Sequence, residues 1–406
     1  MTIILITSLY RPYRRGGAEV VCETIVDELK KKYRVIVITT AAWKGWRSLR
    51  ARPINEDGIT VYRYYPLNIF SFSAIEDHKP FLLRCLWHVF DTFNFHSYLT
   101  VRGILKKEKP DIVMTHNLKG IGYLIVSAIR RMRLFHIHTM HDIQLMAPSG
   151  VVMIGKDHTW SFRMGAAFFS FFHRAFFGSP AVVIFPSRFL HAFYDRWNFF
   201  SRSKKIVLPN PIPSHALFLT SPTDEIQTDR LRAYAAGKRT FLYLGLLKKQ
   251  KGIFTLLSAF NALQYSSARL LIGGGGHAEE RVRILASPDQ RITVLGVIDR
   301  EALKSVFTEA HFVVVPSLLY ENSPMVVYES FATSIPVIVS ESGGASELVS
   351  DGENGFIVPA GDESALLYAL ERACSLDGKH YTRMSLSARA CIADFSAEEY
   401  CKKLIL

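Results

Sequence analysis

Two glutamates with seven residues between them, Glu321 and Glu329, lie in the segment FVVVPSLLYENSPMVVYESFATSIPVIVSESGGASELVSDGENGF at 312–356. An ionised carboxylate only accepts hydrogen bonds and takes several at once. Such a pair therefore suits a ligand rich in hydroxyls, one carboxylate for a ribose and the other for a second sugar. The apolar run Phe312–Val315 predicts a strand, the following loop carries Glu321, and Ser323–Pro324 predicts an N-cap with proline at the first helical position. The helix is expected to run to about Thr333, with Glu329 about one and a half turns in. Backbone N–H groups over Asn322–Met325 would sit at the positive end of the helix dipole and suit a phosphate. The same text also fits an ordinary β-loop-α unit with two exposed glutamates, and spacing alone does not choose between them.

Other constellations are weaker. His116, His138 and His141 fall at the ends of adjacent expected strands, but no carboxylate cluster accompanies them. They predict buried structural histidines rather than zinc ligands, so no metal is expected. The run Gly273–Gly276, GGGG before His277, is not G-x-G-x-x-G and lacks a placed acidic ribose partner, which argues against a nicotinamide cofactor. No D-x-D, G-x-S-x-G or phosphate-loop pattern occurs. The five cysteines are odd in number and show no C-x-x-C, which fits a reducing cytoplasm and not a disulfide framework.

Apolar β-type runs alternating with helical stretches must position these residues. Strands are expected at Ile3–Thr7, Arg34–Thr40, Ile59–Tyr64, Asp111–His116, Leu134–Met140 and Ala181–Phe185, then at Thr240–Leu244, Arg269–Ile272, Ile292–Leu295, Phe312–Val315 and Pro336–Val339. Near-continuous apolar strands separated by helices predict parallel α/β sheets covered on both faces. The alternation pauses around 209–236 and restarts. The expected organisation is therefore two Rossmann-like domains facing each other across a cleft. These are 1–208, 209–390, and a C-terminal helix at 391–406 packing back on the first domain.

Charge is uneven. Residues 1–210 carry 30 Lys and Arg against 14 Asp and Glu, while the remainder carries 19 against 22. A basic first half suggests an anionic partner such as a membrane surface or a phosphorylated substrate. No nucleic-acid recognition motif supports nucleic acid as that partner. The N-terminus predicts a first strand, not a signal peptide. Met164–Pro186, with His173, Arg174 and Pro180 inside it, predicts a Phe-rich helix and a buried strand, not a membrane span. That helix is expected in the core, with a membrane interface as the other option.

The E-x7-E block, Glu321 to Glu329, closely resembles the donor-binding signature of glycosyltransferase family 4, the glycosyl transferases group 1 type. The likeness continues in GLLKKQKG (245–252), LLIGGGG (270–276) and VLGVIDREAL (294–303). In the first half it continues in RRGGAEVVCETIVDEL (14–29), DIVMTHN (111–117), HTMHD (138–142), FPS (185–187) and LPNPI (208–212). The resemblance implies the GT-B fold and a retaining transferase using a nucleotide sugar, a UDP- or GDP-sugar first, with no essential metal or cofactor. It implies that Glu329 binds the ribose, and that Glu321 with Asn322, Ser323, Pro324 and Met325 holds the donor sugar and diphosphate. It further implies Lys251 at the diphosphate, Val297 by the base, His141 near the transferred sugar, and Gly16 and Gly17 where backbone approaches the donor or acceptor. Members often have arginine directly after the glycine that matches Gly245; here that residue is Leu246, with Lys248 and Lys249 close by. The acceptor is expected to meet the basic first half, where Arg47, Arg50, Arg52 and the aromatic stretch 62–95 suit a lipid-linked acceptor or an anionic leaflet. The expected setting is a cytoplasmic enzyme, peripheral at the membrane, assembling surface polysaccharide or glycolipid. The alternatives are a sugar-phosphate-dependent synthase, a phosphorylase, or a non-catalytic basic binding protein.

Overall fold

The computed structural model describes residues 1–13, 16–72, 79–212 and 224–405. Arg14, Arg15, part of the aromatic stretch and residues 213–223 of the expected interdomain junction lie outside the described residues. The chain divides into two units: Met1–Val152 with Lys156–Pro211 and Tyr400–Leu406, and Ile212–Glu399 with Met153–Gly155.

The first unit is built on β1 (Thr2–Ile6), β2 (Arg34–Thr40), β3 (Arg52–Glu56), β4 (Ile59–Tyr64), β5 (Ile112–Thr115), β6 (Phe135–Thr139), β7 (Val182–Phe185) and β8 (Lys204–Val207), in the order β3-β4-β2-β1-β5-β6-β7-β8. All pairs are parallel except β3 with β4. Ile3, Ile4, Leu5 and Ile6 are all buried, because helices cover both faces of the central strand. The edge strand β3, RPINE, was not expected from the sequence. It is exposed along almost its whole length and is joined to β4 by the two-residue turn Asp57–Gly58, both with positive φ. From Tyr400 onward the final helix, Ala397–Ile405, belongs to this unit.

The second unit carries β9 (Arg239–Leu244), β10 (Ala268–Gly273), β11 (Ile292–Gly296), β12 (Phe312–Val315), β13 (Val337–Ser340) and β14 (Gly355–Val358), in the order β11-β10-β9-β12-β13-β14 with every pair parallel. Successive residues of each strand feed opposite layers. Phe241, Phe312 and Phe356 pack with Leu256, Phe260 and Leu370 on one face; Leu242, Val313 and Val337 pack with Val327 and Phe331 on the other. The helices Ile253–Ala262 and Met325–Ala332 thus lie on opposite sides of one sheet.

One expectation is corrected here. The Phe-rich helix spans Trp160–Phe177, but it is not a core helix: only Ala166, Ser170, His173 and Phe177 are buried. They recur at helical spacing and form a single inner face. Trp160, Met164, Phe168 and Phe171 are exposed on the outside.

The first unit also buries histidines that stay neutral. Burial lowers His116, His136, His138, His141 and His173 below the ordinary imidazole range, His141 and His173 to about 4. Burial pushes Asp91 and Asp142 the other way, up to about 7. Unfolding exposes imidazoles that take up protons below about pH 6.5, so acidification from there towards pH 4 favours the unfolded chain. The two aspartates are protonated only in the folded state across about pH 4 to 7 and offset part of that loss. The named histidines outnumber them. We therefore expect the urea midpoint of unfolding to fall between pH 7 and pH 5; a midpoint that rises over this range would contradict the assignment of neutral buried imidazoles.

Candidate active site

In the second unit the direction of strand addition reverses between β9 and β12. From β9 the chain moves outward through β10 to β11; from β12 it moves outward through β13 to β14. At such a reversal the loops leaving the carboxyl ends of the two strands diverge, and the crevice between them receives ligands in open parallel sheets. The loops concerned are 245–252 and 316–324.

Their spacing is set by backbone contact. Residues Lys249–Lys251 form one 3-10 turn that ends at Gly252, whose φ is +74°. A Cβ on Gly252 would lie 1.6 Å from the carbonyl oxygen of Pro316, so only glycine permits this approach. Beside it, the Leu318 N–H donates to the Gln250 carbonyl at 2.9 Å. Lys251 Nζ then reaches Glu321 Oε1 at 2.6 Å, an ion pair that joins the two loops. Glu321, with 13% of its side chain exposed, is also fixed through its backbone. Its N–H donates to Ser342 (3.0 Å) and its carbonyl accepts from Gly344 (2.6 Å), in the loop after β13.

The glycine run after β10 has a packing role. Gly274 has φ +134°, and a Cβ there would lie 1.8 Å from the Gly245 carbonyl oxygen. The Gly245 and Leu247 N–H groups donate to Gly273 and Gly275, and the Gly274 N–H to Gly296, which binds the ends of β9, β10 and β11 into one floor. Val297 leans over this floor and is 82% exposed; Leu246 projects from it into solvent. Tyr243 supports the floor from below, its hydroxyl donating to the Leu246 carbonyl at 2.9 Å. Burial, and then the charge of Glu321, raise the Tyr243 phenol above its ordinary range, so it remains a donor.

The helix start differs from expectation. Pro324, not Ser323, is the N-cap of Met325–Ala332, with ψ 121°. The Ser323 hydroxyl lies 2.6 Å from the Tyr328 hydroxyl, which takes it away from the capping position. Pro324 has no N–H, so within 322–325 the backbone donors are those of Asn322, Ser323 and Met325. Glu329 is half-buried on this helix. The second unit therefore brings together Lys251, Glu321 and the Asn322–Met325 turn, with Val297 and Leu246 on the neighbouring floor. Sequence reasoning gave no role to Tyr243 or Gly252 and did not foresee that Ser342 and Gly344 hold Glu321. The signal for Gly252 and Gly344 was the glycine in each quoted motif; Tyr243, inside an apolar strand, gave none.

In the first unit Gly16 is the N-cap of the helix Gly17–Leu29, and its N–H donates to Glu19 Oε2 at 2.8 Å. Its backbone is extended, and a Cβ would meet nothing closer than that oxygen at 3.8 Å. The packing of the fold does not demand glycine there. His141 follows β6; its Nε2 lies 2.9 Å from His116 Nδ1. His136 and His138 both hydrogen-bond the Thr115 hydroxyl at 2.7 Å and are structural. Among the described residues, Cys22, His116 and His141 offer metal-ligand atoms within 4.8 Å of one another. A cation there would have to replace the His116–His141 hydrogen bond and ionise a thiol that burial pushes well above its usual range. Asp142, next to His141, accepts from the Gln144 N–H at 2.8 Å and from the Gln144 side chain at 2.6 Å.

Comparison with known proteins identifies the family and the fold. The model of glycosyltransferase family 4 matches residues 15–215, and that of the glycosyl transferases group 1 matches 228–390. The putative teichuronic acid biosynthesis glycosyltransferase TuaC of Bacillus subtilis is 26% identical, over 92% of this chain and 89% of its own. Among solved structures, sucrose-phosphate synthase from Thermosynechococcus elongatus superposes with a TM-score of 0.75 at 21% identity, over 99% of this chain and 97% of that one. HepE from Anabaena, in complex with UDP, gives 0.70 at 16% identity, over 100% and 98%. With two α/β units, each built on a largely parallel sheet, and with both family models matched, the chain belongs to glycosyltransferase family 4 of the group 1 type and has the GT-B fold.

Proposed function

We propose that this glycosyltransferase moves a sugar from a nucleoside diphosphate sugar to an acceptor hydroxyl with retention at the anomeric carbon. The observation that carries the reading is the Lys251–Glu321 ion pair at the strand-order reversal, beside the start of the helix Met325–Ala332. A diphosphate at that helix end meets the positive pole of the helix dipole and draws Lys251 towards its oxygens. Glu321, relieved of the lysine, accepts from hydroxyls of the transferred sugar, and Glu329 from the ribose. Val297 flanks the base, and the donor is a UDP- or GDP-sugar; the UDP in the HepE structure supports the first. The freedom of Gly16 from any packing requirement supports close approach of a ligand there, with Gly17 beside it and neutral His141 directed to the sugar.

In the reaction the bond from anomeric carbon to phosphate oxygen breaks, and its electron pair stays on the diphosphate. The acceptor oxygen forms the new bond on the same face, and its proton passes to the leaving phosphate. Lys251 and the 322–325 amides stabilise the charge that develops on the diphosphate, a role filled without a metal. The acceptor is a glycan or lipid-linked glycan met by the basic first unit, in surface polysaccharide or glycolipid assembly on the cytoplasmic side of a membrane. The teichuronic acid assignment of TuaC supports that setting.

Lys251→Ala and Glu321→Ala should each lower turnover by about 100-fold while circular dichroism stays unchanged. Undiminished turnover in both would remove the site assignment. In a thermal-shift panel of UDP, GDP, ADP, CMP and NADH, one nucleoside diphosphate should stabilise the protein selectively, by about 2.7 kcal/mol at 100 times its dissociation constant. A shift with NADH alone would overturn the donor reading. Leu246→Arg adds a bidentate phosphate donor to the floor and should tighten nucleoside diphosphate binding by roughly tenfold; unchanged affinity by calorimetry would mean that Leu246 does not face the diphosphate. The product should keep the donor's anomeric configuration, read from its one-bond carbon–proton coupling by NMR. Inversion would exclude the same-face mechanism.

A further inference from the structure

The outer surface of the first unit is apolar where two helices meet. The helix Phe81–Thr92 exposes Leu82 (74%), Leu86 and Phe90, spaced four apart along one stripe. The helix Trp160–Phe177 exposes Trp160 (76%), Met164, Phe168 and Phe171 (63%) at equivalent spacing, while its other face packs on the unit. Phe93, just past the first helix, joins them: its ring lies 5.0 Å from Phe172 and 5.6 Å from Phe176. Large apolar side chains at helical period on an outer face cost solubility, and monomeric proteins seldom expose such stripes without a partner.

We infer that this two-helix face docks onto the surface of an anionic lipid leaflet, with both helices lying in the plane of the interface. The charge around the stripes selects that partner. The only acidic residue on either helix is Asp91, which is buried, and the sequence holds no Asp or Glu between Asp157 and Asp195. Among the described residues of the two helices the exposed charges are cationic, Arg84 on one helix and Arg163 on the other. A second copy of this basic face would set like charges against each other, whereas anionic headgroups complement them. Trp160, exposed at the start of its helix, is of the type that settles at headgroup depth. Neither helix crosses the bilayer, since no helix among the described residues is long and apolar enough to do so, and the inner faces are committed to the protein. The geometry is that of an interfacial helix pair. This assigns a surface to the membrane-side setting proposed above; it does not depend on the donor site.

The test is flotation of the full chain at low salt with vesicles of phosphatidylcholine and phosphatidylglycerol at 3:1, and with phosphatidylcholine alone. The protein should float with the anionic vesicles, and acyl chains brominated near the headgroup should quench its tryptophan fluorescence. Trp160→Phe should abolish most of that quenching. The pairs Leu86→Glu/Phe90→Glu and Phe168→Glu/Phe171→Glu should each reduce the bound fraction at least tenfold while preserving the nucleotide thermal shift of the wild type. Flotation that survives both pairs, or binding without acyl-chain quenching, would overturn the proposal. So would a stable dimer in light scattering that both pairs dissociate and that does not float. Absence of any nucleotide shift in the wild type would count against the donor site and leave the docking face standing.

Discussion

The approach of Gly252 to the Pro316 carbonyl is the constraint on which the second unit's chemistry depends. β9 and β12 are neighbours in the sheet, although two strands and three helices separate them in sequence. Their pairing brings two loops together end on, and any side chain at 252 would hold them apart. Because the loops touch there, Lys251 Nζ is near enough to donate to the Glu321 carboxylate at 2.6 Å. Gly252 is also the N-cap of the helix Ile253–Ala262, so the same residue fixes where that helix begins. A loop free to drift by an ångström would lose both relations at once, which is why the site is anchored by backbone and not by side chains alone.

Half-buried between these loops, neither member of the ion pair is comfortable by itself. A desolvated lysine seeks negative charge and a desolvated glutamate seeks donors, so in the ligand-free protein they satisfy each other. A diphosphate sugar presents both complements in one molecule: anionic oxygens for the lysine and hydroxyl donors for the glutamate. Exchange of one internal pair for two external contacts leaves no buried charge uncompensated. A phosphate without a sugar would serve only half of that exchange. On the donor reading proposed above, the same pair holds the two loops together and favours an intact donor over a free anion.

Those features were legible in the sequence to the degree that they are local. Apolar strands buried on both faces announce themselves, and Arg34–Thr40, Ile59–Tyr64 and Phe312–Val315 have the expected bounds. The exposed edge β3 and the partly exposed β8 carry no such run and were invisible to it. Glu321, Glu329 and Lys251 stood out by type and family spacing, but the contact between Lys251 and Glu321 depends on strand order, which no local pattern encodes. Ser323 has the right chemistry for an N-cap, but Pro324 takes the position and the Ser323 hydroxyl pairs instead with that of Tyr328, five residues on. The Phe-rich helix shows a similar limit: composition marks it as apolar, while only the fold reveals which of its apolar faces is turned inward.

The first unit distributes polarity in an unusual way, and its stability follows from that. Its interior holds imidazoles that burial keeps neutral and two carboxyls, Asp91 and Asp142, that burial pushes up to about 7, and such groups require hydrogen-bond partners, such as Thr115 between His136 and His138 or Gln144 beside Asp142. Its outside, meanwhile, leaves rings and aliphatic chains in water. Interior polar groups and exterior apolar ones both reduce what burial contributes to folding. The sheet core must offset this, and β1, with four consecutive fully buried aliphatic residues, supplies one dense layer. Covering the outer helices would recover part of the missing hydrophobic term, because apolar area removed from water stabilises whichever state buries it. Docking is thus linked to folding in this unit: a surface that binds only the folded helices raises the unit's stability by an amount that grows with the logarithm of its concentration over its dissociation constant.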